Sequence, residues 1–321
     1  MYADTAPPAT RAPAGRTPDV RPARRWSRLR ERMSPYAFIS PFFLVFAVFG
    51  LFPMVFTFWV SLHDWDLIGT RSWVGFGNYD RLFADGYFWN SVVNTFGMFF
   101  LATIPQYVLA LWLAHTLSRR IRMRTLFRLG VLVPNVTSVA AVAVIFSMIF
   151  ARDFGFANWM LDLVGLDPID WTAHRWSSWL AISVMVDWRW TGYNALIFLA
   201  AMQAIPRDLY EAAEIDGASQ RRQFFSITVP MLRPTLIFAS IISVIGGVQL
   251  FTEPLLFNAG ANAITGGTLR QFQTVTMYLI ENAFGRFELG YGAAIAWMVF
   301  LIIFIVSLVN FLIINRIKSA D

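Results

Sequence analysis

Six stretches of the chain are apolar over about 20 residues or more, the length that crosses a hydrocarbon core of about 30 Å at 1.5 Å per residue. They cover residues 36–62, 91–117, 126–150, 178–204, 231–257 and 291–315. The first and last are nearly free of charge. The fourth carries Asp187 and Arg189 and the fifth Glu253, ionisable groups of the kind that mark function or pairing inside a membrane. Between the fourth and fifth stretches runs a polar segment whose proline and glycine positions specify a shape. Pro206 suits a first helical turn, because its missing N–H is one of the unsatisfied donors there. Asp208 and Glu211 then bring negative charge to the positive helix end. Gly217 can end that helix in a left-handed conformation. Ser219 can cap a second short helix toward Thr228, which Pro230 and Pro234 close. The pattern predicts a helix, a tight turn and another helix, projecting from the membrane between two spans.

Composition agrees with this pattern. The chain has 321 residues, 57% hydrophobic and 14% charged, too apolar for a soluble domain of its length. Arginine and lysine near span ends stay cytoplasmic. With six spans one side collects the basic residues of the arm before residue 36, of Arg119–Arg128, of Arg207–Arg233, and Arg316 and Lys318. The other side holds Arg71, Arg81, Arg152, Arg175, Arg270 and Arg286 together with dispersed acids. Both termini are therefore expected in the cytoplasm, with the chain a multi-pass protein of the cytoplasmic membrane. Most of the net charge of +6 comes from the arm, residues 1–35, where arginines alternate with Pro7, Pro8, Pro13, Pro18 and Pro22. Such a segment is expected to stay disordered against an anionic lipid surface and gives no reason to infer nucleic-acid binding. Residues 36–318 then form one transmembrane domain, with the projecting loop at 206–234.

Absent residue types exclude chemistry. There is no cysteine, so disulfides and thiolate metal sites are ruled out. The histidines His63, His115 and His174 are far apart, and no metal site is expected. A phosphate-cradling G-x-x-x-x-G-K-[ST] loop needs a lysine, and the only lysine is Lys318. This chain cannot hydrolyse ATP in that way. Nor do Glu211 and Glu214 make an acid/base pair, since no nucleophile, metal or pocket accompanies them. No enzymatic activity is expected.

Residues 211–234 read EAAEIDGASQRRQFFSITVPMLRP. This segment resembles the cytoplasmic coupling loop of ABC importer permeases of the maltose-type carbohydrate uptake family. The elements in register are Glu211, Ala212, Ala213, Asp216, Gly217, Ala218, Phe224, Pro230 and Pro234. The stretch VGFGNYDRLF at 74–83 and the following FWNSVVNT resemble that family's first external loop and second span. The resemblance thus covers nearly everything after residue 35. It implies an all-α membrane protein of six transmembrane helices, the type I ABC importer permease fold with cytoplasmic coupling helices. It also implies the partners: a second permease subunit in a heterodimer, two ATP-binding cassette subunits that bind ATP and Mg, and an extracytoplasmic solute-binding protein. No cofactor is implied for this chain. The small alanines allow close approach of the ATPase, the acids offer pairing, and Phe224 with Phe225 offers apolar anchorage.

The solute pathway is expected on the helices flanking the coupling loop. On the fourth span Ser183, Asp187, Trp190 and Asn194, with Tyr193, form a polar and aromatic stripe. On the fifth, Ser240, Ser243 and Gly247 form a small-residue stripe followed by Gln249 and Glu253. Disaccharide permeases of the family hold solute at this depth, which makes Asp187, Trp190, Tyr193, Asn194, Ser243, Gly247, Gln249 and Glu253 the candidate pathway. Small residues at this spacing equally serve close helix packing. Arg189, the one cation away from a span's end, suits a neutral carbohydrate better than a phosphorylated one. The FTEPLLFNAGANAITGG run at 251–267 resembles permeases of β-glucoside or cellobiose systems. The alternatives are a proton-coupled secondary sugar transporter using Asp187 or Glu253, and a polytopic membrane glycosyl transferase.

Two external segments complete the expectations. Residues 151–177, with Phe154, Phe156, Trp159, Met160, Leu163 and Trp171, read as an aromatic piece lying along the membrane interface. Gly260, Gly266 and Gly267 predict a mobile loop, and Gln271–Phe284 a helix. The family's equivalent loop faces the solute-binding protein, so 259–290 is a candidate for that contact.

Overall fold

The computed structural model describes residues 24–66, 69, 71–118 and 123–318. The expected arm up to Ala23 and the basic residues Arg119–Arg122 lie outside the described residues. The chain divides into two units, one ending at Phe56 and the other beginning at Thr57.

The first unit is helical throughout its described part: α1 (Arg24–Phe46), a π-turn at Ala47–Leu51, and the start of α2 (Phe52–Ser61). Helix α1 begins at Arg24, so the last part of the arm expected to be disordered is helical. The arm's prolines stop at Pro22 and the next is Pro35. The residues between, RRWSRLRERM, are mostly good helix formers. The π-turn precedes Pro53, whose ring removes a backbone donor and crowds the preceding turn. Phe42 stacks on Phe46 at 6.4 Å. Pro35–Ser61 is long and apolar enough to span a membrane.

The second unit carries the rest. Two short antiparallel strands, β1 (His63–Asp64) and β2 (Ser72–Trp73), pair, and α3 (Gly77–Ala84) leads into α4 (Gly86–Ser118). Helix α4 is the spine. Its Phe99, Met98 and Ala110 each belong to a different apolar cluster of the unit. The third predicted span, residues 126–150, is divided into α5 (Arg124–Val136) and α6 (Val139–Ile149), bent by 89°. Neither piece reaches the roughly 20 residues a straight crossing takes. Pro134 and the non-helical Thr137 and Ser138 make the break. After α7 (Phe156–Leu163) comes α8 (Arg175–Gln203), which at 29 residues is long enough to cross although it carries Asp187 and Arg189. Polar residues are tolerated there because α8 packs inside, against α4 and α5. A Cβ on Gly192 would stand 1.8 Å from the Val131 carbonyl oxygen, and one on Gly97 2.2 Å from the Trp179 ring. Helices approach this closely only through small residues.

The projecting segment comprises α9 (Asp208–Ile215), α10 (Gln220–Gln223), a π-turn at Phe224–Thr228 and α11 (Val229–Met231). The fifth predicted span, 231–257, is corrected. It is α12 (Arg233–Val248), a break at residues 249–251, and α13 (Thr252–Phe257). Then come α14 (Val275–Ile280), a π-turn at Glu281–Gly285, and α15 (Leu289–Lys318). The helix expected from Gln271 starts four residues later, where the Thr274 hydroxyl accepts from the Met277 amide and caps it. Among the described residues Pro35–Ser61, Gly86–Ser118 and Leu289–Leu312 are long and apolar enough to cross a membrane, and the bent pairs Thr125–Val136 with Val139–Ile149 and Gln220–Met231 with Arg233–Val248 bring the number to at most five.

Candidate functional site

Local rules shape the coupling segment. Helix α9 ends in a Schellman motif: the Ala218 amide donates to the Ala213 carbonyl at 2.8 Å and the Gly217 amide to that of Glu214 at 3.0 Å. Gly217 sits at φ +76, as the glycine position required. The Ser219 hydroxyl accepts from the Arg222 amide at 3.4 Å, at the start of α10. Pro206 differs from expectation in standing one residue outside the N-cap, Arg207, rather than in the first turn. Across the turn Tyr210 and Thr228 hydroxyls bond at 2.8 Å, and Gln223 Nε2 donates to the Ala218 carbonyl at 3.0 Å. Those bonds leave Glu211, Ala212, Asp216 and Gly217 exposed and Ala213, Ala218 and Pro230 half-buried. Phe224 faces inward, edge-on to His115 at 4.8 Å, while Phe225 is exposed. Ile215, at the tip of α9, is 88% exposed.

A cavity of about 330 Å³ lies between α4, α8, α12 and α13. That volume sits at the small end of small-molecule sites, roughly 300–1,000 Å³. Trp190, Tyr193 and Asn194 of α8 line it, as do Ser243 and Gly247 of α12 and Gln249 and Glu253 beyond it. The structure therefore brings together seven of the eight pathway residues. Asp187 is the exception: it does not line the cavity, and its Oδ1 is buried without a hydrogen-bond partner among the described residues. Trp190 and Tyr193 meet edge-on at 5.8 Å. Asn194 Nδ2 donates to Gln106 Oε1 at 2.8 Å, and the Ser243 hydroxyl bonds that of Tyr107 at 3.0 Å. Gly247 has a packing role as well, since a Cβ there would stand 2.3 Å from the Phe99 ring. Phe99, Thr103 and Gln106 of α4 complete the wall. Sequence reasoning missed them, although Thr103 and Gln106, one helical turn apart in an apolar span, carried the signal.

Glu253 is neutralised. Arg189 Nη1 lies 2.5 Å from its Oε1, and the two side chains are 8% and 10% exposed. The pair ties α8 to α13 and leaves the cavity wall without net charge.

In the segments between the predicted spans two expectations change. Trp171, read as interfacial, is buried against Phe150 at 4.9 Å, with its Nε1 donating to Asn158 Oδ1 at 2.9 Å. Asn158 also accepts from the Ile169 amide and donates to the carbonyls of Arg152 and Ile169, so it fixes the whole segment. Phe154, Phe156, Trp159, Met160 and Leu163 are exposed, the arrangement an interfacial face requires. The loop expected to be mobile is pinned. Gly266 and Gly267 adopt φ +64 and +90, and either Cβ would collide with Gln273 or Gln271. Gln273 Nε2 holds the Ile264 carbonyl at 3.1 Å and Glu281 Oε2 at 2.6 Å. Burial alone would raise the Glu281 carboxyl, but hydrogen bonds from Arg270, Gln273 and Arg286 outweigh it and hold the group down to about 2. The glycines thus supply a required backbone shape rather than looseness.

Residues 106–319 match the family described as the binding-protein-dependent transport system inner membrane component. The chain belongs to that family. The permease is 34% identical over 294 residues to the arabinooligosaccharides transport system permease protein AraP of Halalkalibacterium halodurans, covering 91% of this chain and 90% of the relative. It is 33% identical to the trehalose/maltose transport system permease protein MalF of Thermococcus litoralis, covering 86% and 92%. Its fold is that of a bacterial ABC transporter involved in the import of the acidic polysaccharide alginate, with TM-score 0.76 at 20% identity, covering 92% of the permease and 99% of that chain. The type I importer fold expected from the coupling segment is therefore present, and the permease is a multi-pass membrane protein.

Proposed function

We propose that this permease subunit serves an ATP-driven, binding-protein-dependent importer that moves a neutral di- or oligosaccharide across the cytoplasmic membrane. One combination carries the reading: the same chain presents an exposed helix–turn–helix with the Glu-Ala-Ala and Asp-Gly-Ala elements and, between the helices that flank it in sequence, a cavity lined by aromatic and amide side chains. Aromatic faces suit the apolar faces of sugar rings, and Asn194, Gln106, Gln249 and Ser243 suit hydroxyls. The internal Arg189–Glu253 pair favours an uncharged solute. Relatives named for arabinooligosaccharides, lactose and trehalose/maltose support an oligosaccharide. A β-glucoside such as cellobiose is the finer proposal, on the residue 251–267 run. Glu211, Ala212, Ala213, Asp216, Gly217, Ala218, Phe224 and Pro230 receive work from an ATPase subunit that binds ATP and Mg. A second permease, a second ATPase and a solute-binding protein complete the assembly, and both termini face the cytoplasm.

A proton-coupled secondary transporter is not favoured, because that scheme gives the coupling segment no role and Glu253 is committed to Arg189. The test is substitution of Gly217→Val or Glu211→Ala, which removes uptake and ATPase recruitment while membrane insertion is retained. Normal uptake in both variants overturns the proposal. Thermal stabilisation of the cognate solute-binding protein across a sugar panel identifies the solute.

A further inference from the structure

We infer that the groove between α4 and the α10–α11 segment seats an anionic phospholipid that braces the root of the coupling segment. The groove has a volume of about 630 Å³ and is separate from the solute cavity. Its floor is apolar, from Val108, Leu111 and Trp112 on one side and Phe225 on the other, and its rim carries Arg221. No acidic residue lines it, and among the described residues neither Arg221 nor Arg222 has an ion pair.

Two observations identify the occupant. First, Phe100, Ile104, Val108 and Trp112 recur every four residues on α4 and are 54% to 64% exposed. That spacing places them on one helix face. The apolar stripe runs along a span-length helix straight into the groove, as an acyl chain would. Second, the polarity reverses at the end of the stripe: Trp112 and His115 are followed by the cationic rim on α10. An apolar track ending in a tryptophan and an unpaired arginine matches the two ends of an anionic lipid, and each arginine near such a surface is worth about five-fold in affinity. Phe224, one of the coupling residues, forms the groove's inner wall with Phe225. An occupied groove therefore backs the segment through which work is delivered.

The test uses the permease purified with its partner subunits and placed in phosphatidylcholine nanodiscs with or without phosphatidylglycerol. Native mass spectrometry reads the phosphatidylglycerol retained. Arg221→Gln should lower retention about five-fold, and Arg221→Gln with Arg222→Gln further, whereas Arg207→Gln, on the far limb of the same segment, should leave it unchanged. Equal retention in wild type and both rim variants overturns the inference. An independent readout uses a photo-crosslinker at the exposed Val108. Capture of phosphatidylglycerol supports the seat, and capture of a protein subunit shows that the groove is an interface and overturns it.

Discussion

The buried pair between Arg189 and Glu253 makes the sharpest energetic prediction. Its atoms are 2.5 Å apart and both side chains are at or below 10% exposed, so solvent screening does not discount it as it does a surface pair. Glu253→Gln removes the anion and strands an arginine, which cannot shed its charge. Leaving one buried charge unpaired costs about 3–5 kcal/mol. Arg189→Met strands Glu253 at a similar cost. Removing both partners together, as Arg189→Met with Glu253→Gln, should recover most of the loss, because no unpaired charge is then left buried. The assay is thermal unfolding of the four proteins in mild detergent, read as a double-mutant cycle. Both single variants should melt well below wild type, and the double variant near it. Because Glu253 also lines the cavity, uptake should fall in both single variants. If Glu253→Gln melts with the wild type, the pair does not hold α8 to α13 and the reasoning fails.

Three further outcomes follow from the packing. Gly192→Ala forces a Cβ to within 1.8 Å of a backbone oxygen and should cost about 3 kcal/mol or more, whereas Gly246→Ala, with nothing within 4 Å, should gain about 0.5–1 kcal/mol; equal melting temperatures would contradict this. Asn158→Ala strands the Trp171 and Ile169 donors, should cost at least about 2 kcal/mol, and is checked by the same melt together with proteolysis at residues 151–177. The Glu281 carboxyl is held below its ordinary value of 4.5, at about 2. It therefore contributes stability that is complete above about 4.5 and is lost as pH falls through about 2. Melting temperature from pH 6 to pH 3 should fall more steeply in wild type than in Glu281→Gln, and parallel slopes would refute the assignment.

The coupling segment was legible because its determinants are local: a glycine where φ must be positive, a serine where a cap is needed, acids in a first turn. Part of the candidate stripe on α8 was legible for the same reason: three- and four-residue spacing brings Trp190, Tyr193 and Asn194 to the cavity wall, whereas Ser183 and Asp187 do not line it. Features made by distant residues were not. The partner of Arg189 is 64 positions away, and an apolar window does not report it. Hydropathy averages across the break after Val248 and the bend at residues 137–138, so both were read as straight spans. Trp171 was assigned to the interface by composition, whereas Asn158 turns it inward. The glycines at 266 and 267 were read as freedom, whereas their positive φ values and the Gln273 contacts show constraint.

The central claim is that the α9 tip grips an ATP-hydrolysing subunit. The most direct measurement places a photo-crosslinker at Ile215, the most exposed apolar residue of the segment, in cells expressing the full importer. The account predicts an adduct with the ATP-binding subunit that is lost when Gly217→Val is added. An importer that transports normally yet gives no such adduct, or an adduct unchanged by Gly217→Val, would contradict it.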